Sequence, residues 1–273
     1  ILTDTEVLDV QGQAGNFSAT LRRKPRYIDV TKCIGCGDCE KVCPIVLPDP
    51  YNEDLSKRHA AYRLYPQAIP AAYAIEKRGV APCKDACPAN TSAQGYVALI
   101  KERRYADALE VIKQYNPFPA TVGRVCSHPC ETECARGKVD EPISICALKR
   151  FVADHQAGEP VVAPERQYAE EIAIVGSGPA GLSCAHHLAR LGYTATVFEA
   201  LPVAGGMMSV GIPAYRLPRE VLNREIDDIR KEGVEIRLNT PVRDIRDLFR
   251  QDYKAVFLAV GAHQPQALGI PGE

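Results

Sequence analysis

The sequence predicts an α/β domain at its carboxyl-terminal end, joined to a mainly helical, cysteine-rich region and, ahead of that, a small cysteine loop. Three observations predict this. From residue 169 onward, short apolar runs alternate with amphipathic stretches, the rhythm of βαβ units and a parallel sheet. The first of those runs ends in a glycine-rich turn, Gly176-Ser177-Gly178-Pro179-Ala180-Gly181. The chain carries 11 cysteines, and all but Cys184 fall between positions 33 and 146. Of 273 residues, 46% are hydrophobic and 25% charged, enough for a packed core. The formal charge of -1 gives no bulk attraction to nucleic acid or anionic lipid. No apolar run is long enough to span a bilayer, and no basic-then-apolar signal segment opens the chain.

In order along the chain, EVLDV and FSATLRR alternate around the turn-rich QGQAGN and predict a β-hairpin within residues 1–30. Residues 31–44 hold the cysteine loop. The following PIVLPDP, with three prolines, argues against regular structure, and a short helix is expected at 70–77. Beyond Pro82 two helices are expected. Thr91 and Gln94 resemble a capping box, Val97 and Ile100 share a face, and so do Ala108, Leu109 and Ile112. Asn116-Pro117 stops the second helix. AGEPVVAPERQY (157–168) reads as a linker. Then come strand EIAIVG, helix PAGLSCAHHLARLG ended by Gly192, strand TATVFEA, and helix PREVLNREIDDIRKEG with Leu222, Ile226 and Ile229 on one side. VEIRL and AVFLAV follow as strands. Ile1 in place of Met, and an end just after AVFLAV, suggest a piece of a longer polypeptide.

The loop TKCIGCGDCEKVCP places Cys33, Cys36, Cys39 and Cys43 as C-x2-C-x2-C-x3-C-P. This is the bacterial ferredoxin spacing, in which thiolates hold one iron each and a tight loop wraps a [4Fe-4S] cube. Gly35 and Gly37 permit the turns such a wrap needs. Zinc sites use paired C-x2-C units separated by a longer spacer, which is absent. A secreted disulfide scaffold would be shorter and would follow an export signal. Cysteine usage thus points to metal ligation in a reducing compartment, the cytoplasm. Cys43 closes either this cluster or a neighbouring one. A second set comprises Cys83, Cys87, Cys126, Cys130, Cys134 and Cys146. Ten cysteines fill two four-thiolate clusters and leave two over; three clusters would need two non-cysteine ligands. The competing reading is that one or two of the six are buried apolar thiols, as Cys184 is taken to be.

The glycine turn follows a strand and opens a helix, and Glu199 ends the next strand. In that context it is a dinucleotide-binding, Rossmann-like fingerprint. Gly176 makes the tight turn, Gly178 admits a pyrophosphate and Gly181 lets helix and strand pack closely. Ser177, Pro179 and Ala180 complete the turn, whose helix N-terminus holds phosphate charge. Glu199 would accept ribose hydroxyls and repel a 2′-phosphate, which leaves FAD or NAD. His186 and His187, on the helix that follows, are read as structural.

With these residues in hand, PCKDACPAN through GRVCSHPCETEC to LKRF, then VGSGPAGL and GGMMSVGIPAYRLPREVL, resemble the small subunit of bacterial glutamate synthase and the amino-terminal part of dihydropyrimidine dehydrogenase. The similarity covers residues from about 80 to 273. It implies a helical iron–sulfur domain (81–156), the linker, and an FAD-binding half (169–273) cut short of a nicotinamide domain. It also implies FAD at the glycine turn, with Gly205 and Gly206 along the flavin. The segment GNFSATLRRKPRYIDVTKCIGCGDCEKVCP with YPQAIPAAYAI is similar to the flavin subunit of heterodisulfide reductase. On that likeness, 1–30 is a strand pair from a preceding flavin domain and 31–80 a ferredoxin-like loop with its connector.

One departure stands out. The glutamate synthase pattern has a C-x2-C pair where this chain has Ile75 and Arg78. The resemblance therefore implies Cys87, Cys126 and Cys130 as ligands of a retained cluster, with Cys146 or a group near Lys149 as the fourth. Cys83 and Cys134 are left as an orphaned pair, unless the Cys33–Cys43 loop replaces the missing cysteines.

The function expected is an FAD- and iron–sulfur-dependent electron-transfer module, with NADH or NADPH acting through a region outside this chain. Its partners would be other redox subunits or ferredoxin-type carriers. The rival reading is a non-catalytic iron–sulfur relay or docking subunit. A plain NAD-dependent dehydrogenase lacks support, because no catalytic His or Tyr constellation accompanies the glycine turn.

Overall fold

The computed structural model describes residues 4–63, 65–67, 69–155, 160–262, 267, 269 and 270. His263 and part of the expected 157–168 linker lie outside the described residues. The chain divides into two compact units, one running to Pro82 and including Thr132–Ile143, the other formed by Cys83–Glu131 and the chain from Ser144 onward.

In the first unit the expected hairpin forms from β1 (Thr5–Gln13) and β2 (Asn16–Arg23), paired antiparallel from Thr5↔Arg23 to Gln13↔Asn16. The cysteine loop contains one short helix, α1 (Asp38–Lys41). Two small strand pairs follow. β3 (Val46–Pro48) pairs with β4 (Lys57–His59), and β5 (Ala61–Tyr62) with β6 (Ala74–Ile75). Both correct the sequence reading. PIVLPDP does hold a strand, because Pro48 sits at its last position in a two-stranded ladder, where a missing N–H costs little. The helix expected at 70–77 is instead β6, preceded by irregular chain. Tyr73 and Ala74 are each 5% exposed there, so tertiary burial overrides the weak helical pattern.

The second unit begins with α2 (Pro82–Asp85), then the helical pair α3 (Ala93–Lys101) and α4 (Tyr105–Lys113), α5 (Pro119–Val125), α6 (Pro129–Thr132, ending at the unit boundary) and α7 (Ile145–His155). The residue before α3 is Ser92, so the capping box at Thr91 does not form; Thr91 turns to a cysteine described below. On α3 the buried positions are Ala93 and Tyr96 rather than Val97 and Ile100. The expected face of α4 is seen, with Ala108 and Ile112 buried.

The α/β part follows the expected order: β7 (Glu171–Val175), α8 (Pro179–Arg190), β8 (Thr194–Phe198), a single-turn α9 (Met207–Val210), α10 (Arg219–Lys231), β9 (Glu235–Arg237), α11 (Arg246–Arg250) and β10 (Ala255–Leu258). The four strands form a parallel sheet in the order β10-β7-β8-β9. Strand order reverses beside β7, since the chain adds β8 and β9 on one side and returns to add β10 on the other. Such a reversal opens a crevice beyond the carboxyl ends of the central strands.

The largest of the core clusters described in this unit spans its helical and α/β parts. Ile174, Leu182, Val197, Leu222, Ile226 and Ile229 pack with Phe118, and Val122 and Val125 of α5 lie against them. Polar bonds accompany the packing. Glu225 on α10 is 4% exposed and accepts the N–H groups of Ala120 (2.6 Å) and Thr121 (2.9 Å) in the first turn of α5. His186 on α8, 1% exposed, donates from Nε2 to the Lys113 carbonyl (3.1 Å) and places Nδ1 2.6 Å from Glu232. Lys113 pairs with Asp228 (3.3 Å), and Arg190 with Glu110. His186 is thus a structural pin between α4 and the α/β part.

Leu222→Ala should cost about 2–5 kcal/mol, because a fully buried side chain leaves a cavity. Glu225→Ala should cost about 1–3 kcal/mol for each N–H left unpaired. Urea unfolding followed by circular dichroism measures both, and a Glu225→Ala loss below about 0.5 kcal/mol would show the carboxylate to be dispensable.

Candidate iron–sulfur and nucleotide sites

In the first unit, the loop backbone turns through Gly35 (φ 73°) and Gly37 (φ 86°), which brings Cys33, Cys36 and Cys39 onto one curve. Cys33 Sγ accepts the Tyr73 N–H at 3.5 Å. The Tyr73 hydroxyl donates to Glu40 at 2.9 Å and so braces the loop. Although Cys39 is exposed, partial desolvation by its neighbours raises its thiol above the ordinary range, and negative charge on Cys33 and Cys36 adds to the effect. The sulfurs of Cys33 and Cys36 therefore each lie within electrostatic reach of Cys39. Cys43 Sγ lies 3.7 Å from the Ile45 carbonyl. Ile75 and Arg78, which stand where the resemblance expects cysteines, fall in β6 and beside Glu76.

In the second unit, Cys87 follows α2, Cys126 caps the end of α5, Cys130 lies in α6 and Cys146 in the first turn of α7. Cys126 Sγ accepts the His128 N–H at 3.2 Å. The Cys146 N–H donates to Glu131 (2.7 Å), and Cys146 Sγ lies 3.6 Å from the Gly123 carbonyl. Burial pushes the Cys130 thiol up to about 11, opposed by the Lys149 charge and reinforced by Cys87 and Cys126. Burial likewise raises Cys146, which also feels Cys126. Cys87 differs. Burial works to raise it, but bonds from the N–H and hydroxyl of Thr91 and the N–H of Ala89 bring it below its ordinary value. Tyr96, 2% exposed, donates to the Ile145 carbonyl at 3.1 Å, and its hydroxyl is raised by burial first and then by Cys130, Cys146, Cys87 and Cys83.

The residues expected to serve a retained cluster, Cys87, Cys126, Cys130 and Cys146, are thus drawn to one neighbourhood. Cys83 lies near them, whereas Cys134 belongs to the first unit. None of the eleven thiols is in a disulfide. Among the described residues, no three His, Cys, Asp or Glu side chains converge as ligands of a single metal ion. A [4Fe-4S] cube makes a different demand, one thiolate per iron, with N–H groups aimed at the sulfurs. Thr91, Ala89 and His128 supply such donors in the second unit and Tyr73 in the first, so the residues fit a cluster.

The glycine turn sits at the reversal of strand order. Gly176 (φ 104°) takes a conformation side chains avoid, and a Cβ on Gly181 would overlap the Gly176 carbonyl oxygen. Beyond it lies a cavity of about 400 Å³ lined by Gly176, Gly178, Pro179, Ala180, Glu199 and Gly206 among others. Ser177 is fully buried and points inward. Its N–H (2.8 Å) and hydroxyl (2.5 Å) donate to one oxygen of Glu199, and the Leu201 N–H (2.9 Å) donates to the other. Burial works to raise Glu199, but these bonds hold it below its ordinary range. Glu199 lines the cavity, and the Ala200 N–H adds to the donors that hold it. Gly205 donates its N–H to the Ser177 carbonyl (3.0 Å), and a Cβ on Gly206 would meet Gly178 Cα. Both residues of the expected flavin-side segment therefore touch the glycine turn.

Sequence reasoning missed several lining residues, Pro241, Val242 and Ala259–Ala262. The signal was present, since VGA directly follows the last strand run, where an open α/β sheet builds its crevice.

Residues 53–160 match the model described as dihydropyrimidine dehydrogenase domain II, 4Fe-4S cluster. Residues 24–45 match a 4Fe-4S binding domain, and 170–273 match pyridine nucleotide-disulphide oxidoreductase. The domains are those of an iron–sulfur flavoprotein oxidoreductase. Among curated relatives, the chain is 45% identical over 233 residues to the NADP(+)-dependent formate dehydrogenase subunit beta of Moorella thermoacetica, covering 76% of this chain and 33% of that protein. It is 46% identical over 200 residues to the NADPH-Fe(3+) oxidoreductase subunit beta of Geobacter sulfurreducens, covering 71% and 30%. It is 36% identical over 199 residues to the glutamate synthase [NADPH] small chain of Mycobacterium tuberculosis, covering 71% and 41%. The chain therefore spans less than half the length of each of these relatives. The expected likeness to glutamate synthase and dihydropyrimidine dehydrogenase is found, and two 4Fe-4S domains accompany the flavin-type domain. No helix among the described residues is long and apolar enough to cross a membrane.

Two outcomes follow. Gly181→Ala should abolish flavin retention, measured as FAD released on denaturation; wild-type flavin content in that variant would contradict the close packing. In metal-free protein, iodoacetamide should label Cys87 well before Cys130 at neutral pH. The gap should close as pH climbs toward about 11 and Cys130 ionises. Peptide mass spectrometry reads both rates, and equal labelling at neutral pH would contradict the opposed shifts.

Proposed function

We propose that this chain is an electron-transfer module that passes electrons between an NAD(P)H-linked FAD and 4Fe-4S clusters within a larger oxidoreductase. The observation that carries this reading is that one compact unit holds both the nucleotide cavity and the set Cys87, Cys126, Cys130 and Cys146. When bound, the flavin exchanges two electrons with a nicotinamide and the clusters exchange one each, which makes the pair a converter between hydride and single-electron chemistry.

The chain's own residues have distinct tasks. Ser177 and Leu201 hold Glu199 ionised at the cavity edge, where it can accept ribose hydroxyls. The N-terminal turn of α8 meets the pyrophosphate. Gly205 and Gly206 keep the flavin-side segment against the turn. Thr91, Ala89 and His128 donate to cysteine sulfurs and so favour thiolates. The first-unit loop, Cys33, Cys36, Cys39 and Cys43, would hold the other cluster. With Cys36 and Cys39 exposed, that cluster would lie where a separate redox subunit or ferredoxin-type carrier can approach. The likeness of this loop and its flanks to heterodisulfide reductase, and a cytoplasmic setting, belong to the same reading.

The test is anaerobic reduction of the purified, cluster-loaded protein. Titration with dithionite should bleach a flavin band and a broad iron–sulfur band and produce an EPR signal from reduced clusters. Cys130→Ser should remove one cluster signal and leave the flavin. A preparation with clusters but no flavin at any stage would support the relay reading instead, and one with zinc alone would overturn both.

A further inference from the structure

Lys149 is no part of the nucleotide site and is not a thiol, yet it lies among the cysteines of the second unit. It occupies α7 one turn beyond Cys146 and keeps 8% of its surface exposed. Its charge acts on Cys87, Cys130 and Cys146, favouring the thiolate at each. Glu131 faces Cys130 and Cys146 with the opposite sign, but it is already engaged by the Cys146 N–H (2.7 Å) and by His128 Nδ1 (3.2 Å). Tyr96 contributes a hydroxyl committed to the Ile145 carbonyl. A lysine so deeply covered is costly unless its neighbourhood is anionic. Four thiolates around a [4Fe-4S] cube supply that negative charge, and reduction adds one further electron with no compensating proton.

We propose that Lys149 is the fixed cation that holds up the reduction potential of the cluster on Cys87, Cys126, Cys130 and Cys146. The inference rests on the reading that these thiols carry a cluster. An ammonium has no lone pair to offer iron, so Lys149 acts through its charge and not as a ligand. The reduced cluster carries one more negative charge than the oxidised one. A buried cation therefore stabilises the reduced form more, and its removal makes the cluster harder to reduce. Net charge near a cluster is among the factors that set its potential. Screening leaves exposed charges such as Arg150 a much smaller influence.

The experiment is an EPR-monitored redox titration of the full chain, anaerobically loaded, with iron and sulfide quantified, in wild type and in Lys149→Gln, Lys149→Met and Lys149→Arg. The signal lost in Cys130→Ser identifies the cluster concerned. Both neutral variants should lower its midpoint by at least a tenfold change in the reduction equilibrium, about 59 mV for one electron. Lys149→Arg should stay close to wild type, and the cluster of the Cys33–Cys43 loop should not move. An unmoved midpoint in loaded Lys149→Gln or Lys149→Met overturns the proposal, as does an Arg variant shifted as far as the neutral ones. If both neutral variants lose this cluster and Lys149→Arg keeps it, a charge requirement is upheld; if Lys149→Arg loses it too, the residue acts through packing and the proposal falls. Absence of any second-unit cluster in wild type would instead defeat the underlying reading.

Discussion

A buried carboxylate is among the contacts that tie the two halves of the redox unit together. Glu225 reaches from α10 of the α/β part to the first turn of α5, where Ala120 and Thr121 give it their N–H groups. At its far end α5 delivers Cys126, while the face of α10 that carries Leu222 and Ile226 would crowd any Cβ placed on Gly205. One helix contact thus fixes Cys126, proposed as a cluster ligand, and Gly205, proposed to lie along the flavin, to the same scaffold. Burial raises this carboxyl above its ordinary range despite the N–H groups that oppose the shift. Leaving such a group unpaired would be expensive, so the bond has little freedom to slip. Electron transfer between two cofactors needs a stable separation, and a shared core with a buried polar bolt provides one.

The same logic explains the electrostatics of the two sites. At the nucleotide cavity, inward-pointing Ser177 holds Glu199 below its ordinary range, so the carboxylate charge is set before any ligand arrives. At the cysteine set, the thiols differ by environment. Cys87 is surrounded by donors and leans toward the thiolate, whereas half-buried Cys130 and buried Cys146 lean away from it. A bound iron–sulfur cube would reverse the latter preference, because iron stabilises thiolates far more than burial opposes them. The protein therefore offers one sulfur biased toward the thiolate and others that ionise as the metal arrives.

Much of the site was legible in the sequence because its signals are local. The glycine turn needs only a strand before it and a helix after it, and both are strongly patterned. The four-cysteine loop is self-contained, and the hairpin announces itself by alternation and a turn. What was not legible depended on distant partners. Thr91 fits a capping box by spacing, but its hydroxyl is drawn to Cys87. The 70–77 stretch has a faint helical period, but Tyr73 and Ala74 are buried, and Tyr73 is claimed by the cysteine loop. Pro48 forbids a central strand but not the end of a two-stranded one. The resemblance points to the neighbourhood of Lys149 for a fourth ligand, but LKRF alone does not show that the lysine is buried, which follows only once α7 is placed. Glu225 looks like any charge on an amphipathic helix until α5 arrives beneath it.

The account stands on one unit holding a cluster and a flavin at once. Native mass spectrometry of the anaerobically purified chain weighs all of its cargo together. The mass predicted is that of the polypeptide with two [4Fe-4S] clusters and one FAD, falling by one cluster alone in Cys130→Ser. A polypeptide that carries only zinc, or whose thiols have paired into disulfides, would contradict it.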